Sequence, residues 1–144
     1  MNYKVIGKFI SKMLFVEAAF MVPPFIISIY DREKPAVAGF LGAILITVLL
    51  SLILYFTCKK AKQRFFAKEG LVCVGLSWIV LSFLGGLPFY ISKEIPSFID
   101  ALFETVSGFT TTGASILSDV ESLSHCSIIW RSFTHWIGGM GVLV

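Results

Sequence analysis

The chain has 144 residues, of which 56% are hydrophobic and only 15% charged, and its mean hydropathy is +0.86. Soluble domains carry charge on roughly a quarter of their residues, so this composition excludes a water-soluble globular protein and points to a bilayer. The formal charge is +3, and the three cysteines, Cys58, Cys73 and Cys126, are odd in number and lack the spacing of a zinc site or a disulfide framework.

Three long apolar segments, about 9–30, 36–58 and 71–91, each approach the roughly 20 residues that cross the hydrocarbon core as a helix. The first exceeds the roughly 7–15 residue apolar region of a secretory signal, carries Glu17, and shows no small-residue cleavage site before Asp31, so it is read as a retained helix. Pro23 and Pro24 inside it remove backbone donors and predict a kink. Glu17 is either a functional intramembrane acid or, less than two turns after Lys12, an interfacial or packed one. In the third segment, Gly85-Gly86 with Pro88 predicts close helix packing or a bend.

Lys4, Lys8 and Lys12 open the chain, and Lys59, Lys60, Lys62, Arg64 and Lys68 fill the second connection, whereas Asp31-Arg32-Glu33-Lys34 and Lys93-Glu94 are charge-balanced. The excess of Lys and Arg places the N-terminus and the 59–68 loop in the cytoplasm. Residues 92–124 then begin on the outer side, where Glu94, Asp100, Glu104, Asp119 and Glu121 raise the local cation concentration modestly. For Asp119 and Glu121 a solvated outer rim is an equal reading.

The next segment starts and stops too soon to span. Pro96 precedes Ser97, a good N-cap, and Asp100 follows three residues on, as in a capping box with aspartate for glutamate. Phe98, Ile99, Leu102, Phe103 and Val106 recur at helical spacing, and Gly108 is the expected C-terminal stop. About eleven residues at about 1.5 Å each give about 16 Å, half the hydrocarbon core. A helix entering from outside then aims its C-terminal end, with unpaired carbonyls and partial negative charge, at the midplane, which favours a cation there.

Thr110, Thr111, Thr112 and Gly113 follow. Their side chains let the backbone extend, and a glycine at positive φ turns carbonyls inward, where they can replace an ion's water shell. Alone, this run reads more readily as an extracellular loop. Between a capped half-helix and another apolar span, it reads as a filter.

Residues 104–114 (ETVSGFTTTGA), followed by 130–141 (WRSFTHWIGGMG), resemble the first membrane–pore loop–membrane repeat of the TrkH/KtrB potassium transporters, over about 69–144. The two preceding helices are similar to the extra N-terminal hairpin of the TrkH branch. The resemblance implies an all-α integral membrane fold, with a hairpin and cytoplasmic basic loop at 1–68 and a potassium-channel-like repeat with a re-entrant pore helix and filter loop at 69–144. It implies potassium uptake through backbone carbonyls, Thr111 and Thr112 as the ligands, Thr110 and Gly113 flanking them, and potassium as transported ion with no cofactor. In related plant-type transporters a serine at the filter glycine goes with sodium preference, and Gly113 here favours potassium. Four repeats surround one pore in that family. The expected partners are membrane lipid, a second copy of the full-length protein and a cytosolic nucleotide-binding TrkA-like subunit, with no nucleic acid, in a multi-pass cell-membrane protein.

One repeat cannot close a fourfold ring, and 128–144 is an apolar run of marginal spanning length, so the chain reads as cut off inside a helix. The alternative to a transporter subunit is a non-conducting fragment or assembly partner that keeps the repeat fold. No nucleophile with a base, metal cluster or phosphate-binding loop suggests an enzyme. Arg131 is expected to pair with Glu104 or Asp100 and brace the half-helix, or else to snorkel at the rim. His135 is read as a packed, hydrogen-bonded residue without a catalytic role. Gly138, Gly139 and Gly141 are read as close-packing positions.

Overall fold

The computed structural model describes residues 3–59 and 67–143, with the side chains of 67–69 and 142–143 excepted. Among the described residues the fold is all-helical: α1 (Tyr3–Tyr30), α2 (Lys34–Thr57), α3 (Ala67–Gly85), α4 (Leu87–Ile91), α5 (Phe98–Phe109), a 3₁₀ turn at Val120–Ser122, and α6 (His125–Leu143). Three segments, Tyr3–Tyr30, Lys34–Thr57 and Gly70–Ile91, are long and apolar enough to cross a membrane. Much of the basic loop, Lys60 to Arg64 included, lies outside the described residues, as does the Lys68 side chain.

Helix α1 starts six residues before its apolar stretch. Lysine is a good helix former, and Lys4, Lys8 and Lys12 extend the helix while Val5, Ile6, Ile10 and Leu14 bury its inner face. The helix runs on through Pro23 and Pro24 to Tyr30. Arg32, in the left-handed region at φ 56°, turns the chain, and Pro35 sits in the first turn of α2, where a missing N–H costs nothing. The two helices pack antiparallel, and Ser11 and Ser51 each donate a hydroxyl to the other's carbonyl, at 3.0 and 2.8 Å.

The third span breaks at Gly86. Close packing and a bend coincide there: a Cβ on Gly86 would touch the Ala101 backbone at 3.4 Å, and one on Gly85 would come 3.0 Å from the Phe109 ring. Trp130, fully buried, donates its indole N–H to the Gly85 carbonyl at 2.9 Å. One core joins the N-terminal hairpin to the rest, with Met21, Phe40, Phe89, Ala101 and Trp130 drawn from five helices. Glu17 is 2% exposed and lies against Gly85, with neither carboxylate oxygen hydrogen-bonded among the described residues, so it is buried and not interfacial. Large apolar side chains such as Leu45, Leu49, Ile53 and Phe56 point outward, as a lipid-covered surface requires.

Candidate functional site: a capped half-helix and its exposed carbonyls

Helix α5 is positioned by its polar face. The Ser97 hydroxyl accepts from Asp100 N at 3.4 Å and starts the helix. Thr105, fully buried, donates to the Ser82 carbonyl of α3 at 2.9 Å, and Phe109 meets Trp78 edge to face, with centroids 6.3 Å apart. On the other side α5 lies directly on α6. A Cβ on Gly108 would stand 2.9 Å from Thr134 Cβ, and one on Gly138 would stand 2.8 Å from Phe109 Cα. Backbones approach this closely only where glycine removes the side chain.

Gly108 is therefore not the helix stop that the sequence suggests. The helix continues through Phe109, and the left-handed residue that ends it is Thr111, at φ 55°. Thr111 N donates to Gly108 O and Thr112 N to Ser107 O, both at 2.9 Å, the paired bonds of a Schellman cap with threonine where glycine is usual. A β-branched residue in this region is strained, at about 1–2 kcal/mol. The cap also corrects the expectation of free carbonyls at the helix end, because those of Val106, Ser107 and Gly108 accept from the amides of residues 110–113.

The free carbonyls come next. Thr110, Thr111, Thr112 and Gly113 are all exposed, and among the described residues no hydrogen bond is made to their carbonyl oxygens. Gly113 has the expected positive φ, 75°, and a Cβ there would meet nothing within 4 Å, so backbone conformation and not space calls for glycine. The Thr110 and Thr112 hydroxyls lie 2.8 Å apart.

Beyond the loop the chain is tied back. Ser107 donates its hydroxyl to the Ala114 carbonyl at 2.6 Å. Glu104, whose side chain is 1% exposed, accepts from the Ser115 hydroxyl, from Ile116 N at 2.8 Å and from Arg131 Nε at 3.1 Å. Of the two partners expected for Arg131, the structure selects Glu104. His135 donates through Nδ1 to the Arg131 carbonyl at 2.9 Å, a packed residue as read. Sequence reading missed Thr105, Ser107 and Ser115, whose type carries no signal apart from their partners.

A second polar group stands at the start of α6. Glu94 accepts from Ser124 N, Ser124 Oγ and Ser127 Oγ at 3.3, 2.6 and 3.0 Å and so caps the helix. Glu33, Glu94 and Cys126 bring donor atoms within 4.8 Å of one another, a convergence absent from the sequence reading. The Ser124 hydroxyl also lies 3.0 Å from Cys126 Sγ, so internal hydrogen bonds occupy the group.

The family model described as "TrkH: Cation transport protein" matches residues 37–144. The chain is 35% identical over 125 residues to the Trk system potassium uptake protein TrkG of Escherichia coli K12, covering 86% of this chain and 26% of that protein. It is 32% identical over 145 residues to the Trk system potassium uptake protein TrkH of the same organism, covering all of this chain and 30% of that one. The crystal structure of the potassium transporter TrkH from Vibrio parahaemolyticus superposes with a TM-score of 0.90 at 28% identity, over 99% of this chain and 31% of that one. The chain thus spans under a third of the length of these relatives. Its apolar helices, its fold and the family match agree, and the chain is a multi-pass membrane protein that belongs to the TrkH cation transport family.

Proposed function

We propose that this chain supplies the N-terminal hairpin (1–68) and the first pore repeat (69–144) of a potassium uptake transporter. In this reading α5 is a re-entrant pore helix, and Thr110–Gly113 form one strand of a selectivity filter. Thr111 and Thr112 contribute carbonyl ligands, with Thr110 and Gly113 beside them. Carbonyls facing a pore replace the hydration shell of a potassium ion, and their number, spacing and field set the discrimination against sodium. No bond is made or broken, so the activity is transport and not enzymatic.

The observation that carries the reading is the run of four exposed residues whose carbonyls accept no hydrogen bond among the described residues, placed after a capped 12-residue helix and alternating through left-handed residues at 111 and 113. About 18 Å of helix reaches roughly half-way across the hydrocarbon core. The relatives' names as potassium uptake proteins support the choice of ion. The reading extends to the cell membrane, with the N-terminus cytoplasmic by its lysines, to a dimer of the full-length protein, and to a cytosolic nucleotide-binding TrkA-like partner.

The test is rubidium uptake and potassium-limited growth in cells lacking their own potassium uptake systems, expressing the full reading frame that contains this segment. Gly113→Asp adds a side chain at positive φ and a charge beside the carbonyls, and uptake should fall at least about tenfold at equal membrane level. A well-inserted parent without uptake would sink the transporter reading and leave a non-conducting membrane protein.

A further inference from the structure

The carbonyl run is held from behind by one face of α5. Glu104 and Ser107 stand three residues apart, one turn of the helix, and together they touch every residue from Thr112 to Ile116. Ser107 takes the amides of Thr112 and Gly113 on its carbonyl, at 2.9 and 3.5 Å, and donates its hydroxyl to Ala114. Glu104 takes Ser115 and Ile116 on one carboxylate oxygen and gives the other to Arg131 of α6. The charge is essential to this arrangement. A carboxylate is acceptor-only on both oxygens, so it can satisfy donors from the loop and from α6 at once. An amide of the same shape must aim an NH₂ at one of those donors and lose that bond.

We propose that Glu104 is a specificity-positioning residue: its carboxylate, shared between Arg131 and the Ser115–Ile116 limb, fixes the Thr112 and Gly113 carbonyls and thereby sets discrimination between potassium and sodium. The proposal rests on the filter reading above. Selectivity among similar cations depends on how firmly and at what spacing carbonyls are presented, so a limb released at Ser115–Ile116 lets the carbonyls adjust to the smaller ion. Arg131 adds a second tie, because it couples the loop limb to the helix on which Phe109 and Gly108 rest.

The experiment compares the parent, Glu104→Gln, Ser115→Ala and Ser132→Ala, each in the full reading frame and at equal membrane level. Ser132 donates only to its own helix on an exposed face and serves as the control. Rubidium uptake is measured against competing sodium, and the purified proteins are assayed for unfolding midpoint in potassium or sodium and for amide exchange at Ile116. Glu104→Gln should lower the rubidium-over-sodium preference about tenfold, the scale of one charge-assisted hydrogen bond, and Ser115→Ala about threefold. Ile116 exchange should quicken in Glu104→Gln, and potassium and sodium should then stabilise it alike. An unchanged preference in Glu104→Gln, or lower uptake with the preference intact, would overturn the proposal and leave Glu104 a structural residue. A parent that takes up no rubidium but is stabilised more by potassium than by sodium, with that difference lost in Glu104→Gln, would end the transport reading while supporting the clamp. A parent with no cation preference in either assay would overturn both.

Discussion

The α1–α2 hairpin and the α5–loop–α6 segment are built by different means. The hairpin is held by apolar contacts of residues such as Phe40 and Ala43, with one reciprocal serine pair at Ser11 and Ser51, and its outer faces carry leucine, isoleucine and phenylalanine. In α5–loop–α6, the buried Glu104, Thr105, Ser107 and Thr134 are all hydrogen-bonded, glycines bring backbones into contact, and Thr111 is left-handed. Lipid tails are as apolar as leucine, so apolar contact alone gives little direction to helices already in a membrane. Where a backbone has to be held in one orientation, directional bonds and close backbone contact replace greasy packing.

Substitutions at those two devices should differ in effect, the close backbone contact first. Gly138→Ala places a methyl against the Phe109 backbone, and overpacking of this kind costs on the order of 3 kcal/mol. It should lower the thermal midpoint of the purified protein and abolish rubidium uptake together. Thr111→Gly acts in the opposite direction, since it removes left-handed strain and should stabilise the protein by about 1 kcal/mol in the same melt. Its uptake should nonetheless discriminate less well between potassium and sodium, because glycine frees the carbonyls. The smallest effect belongs to the hairpin. Ser11→Ala removes one of two reciprocal bonds and should cost about 0.6 kcal/mol, with uptake unchanged.

The same division governs what the sequence reveals. Spans α1 and α2 follow from hydropathy, because a bilayer selects for length and apolarity alone; lysines extend α1 to Tyr3, and α2 runs from Lys34 to Thr57 against the predicted 36–58. The short helix at 98–109 is legible through Ser97 and the apolar spacing, which are local signals. Gly108 misleads because glycine serves both as a helix stop and as a contact point for Thr134, and only the packing of α6 distinguishes the two. The Schellman cap on Thr111 is illegible because threonine is disfavoured there. From sequence Arg131 is expected to pair with Glu104 or Asp100, since a charge near lipid needs a partner, or to snorkel at the rim, and only the fold selects Glu104. Ser115 and Ile116 cannot be added to that pair, because their approach to Glu104 depends on the loop's path. Glu17 shows the same limit, since its burial against Gly85 depends on where α3 breaks.

In the proposed filter Thr111 and Thr112 present carbonyls to the transported ion. Crystals of the full-length protein grown in rubidium, with data collected at the rubidium absorption edge, test it directly. An anomalous peak is expected within coordination distance of the Thr111 and Thr112 carbonyls, lost in Gly113→Asp. Rubidium bound elsewhere on the pore axis, with no density at this loop in a protein that transports it, would rule out Thr111 and Thr112 as ligands.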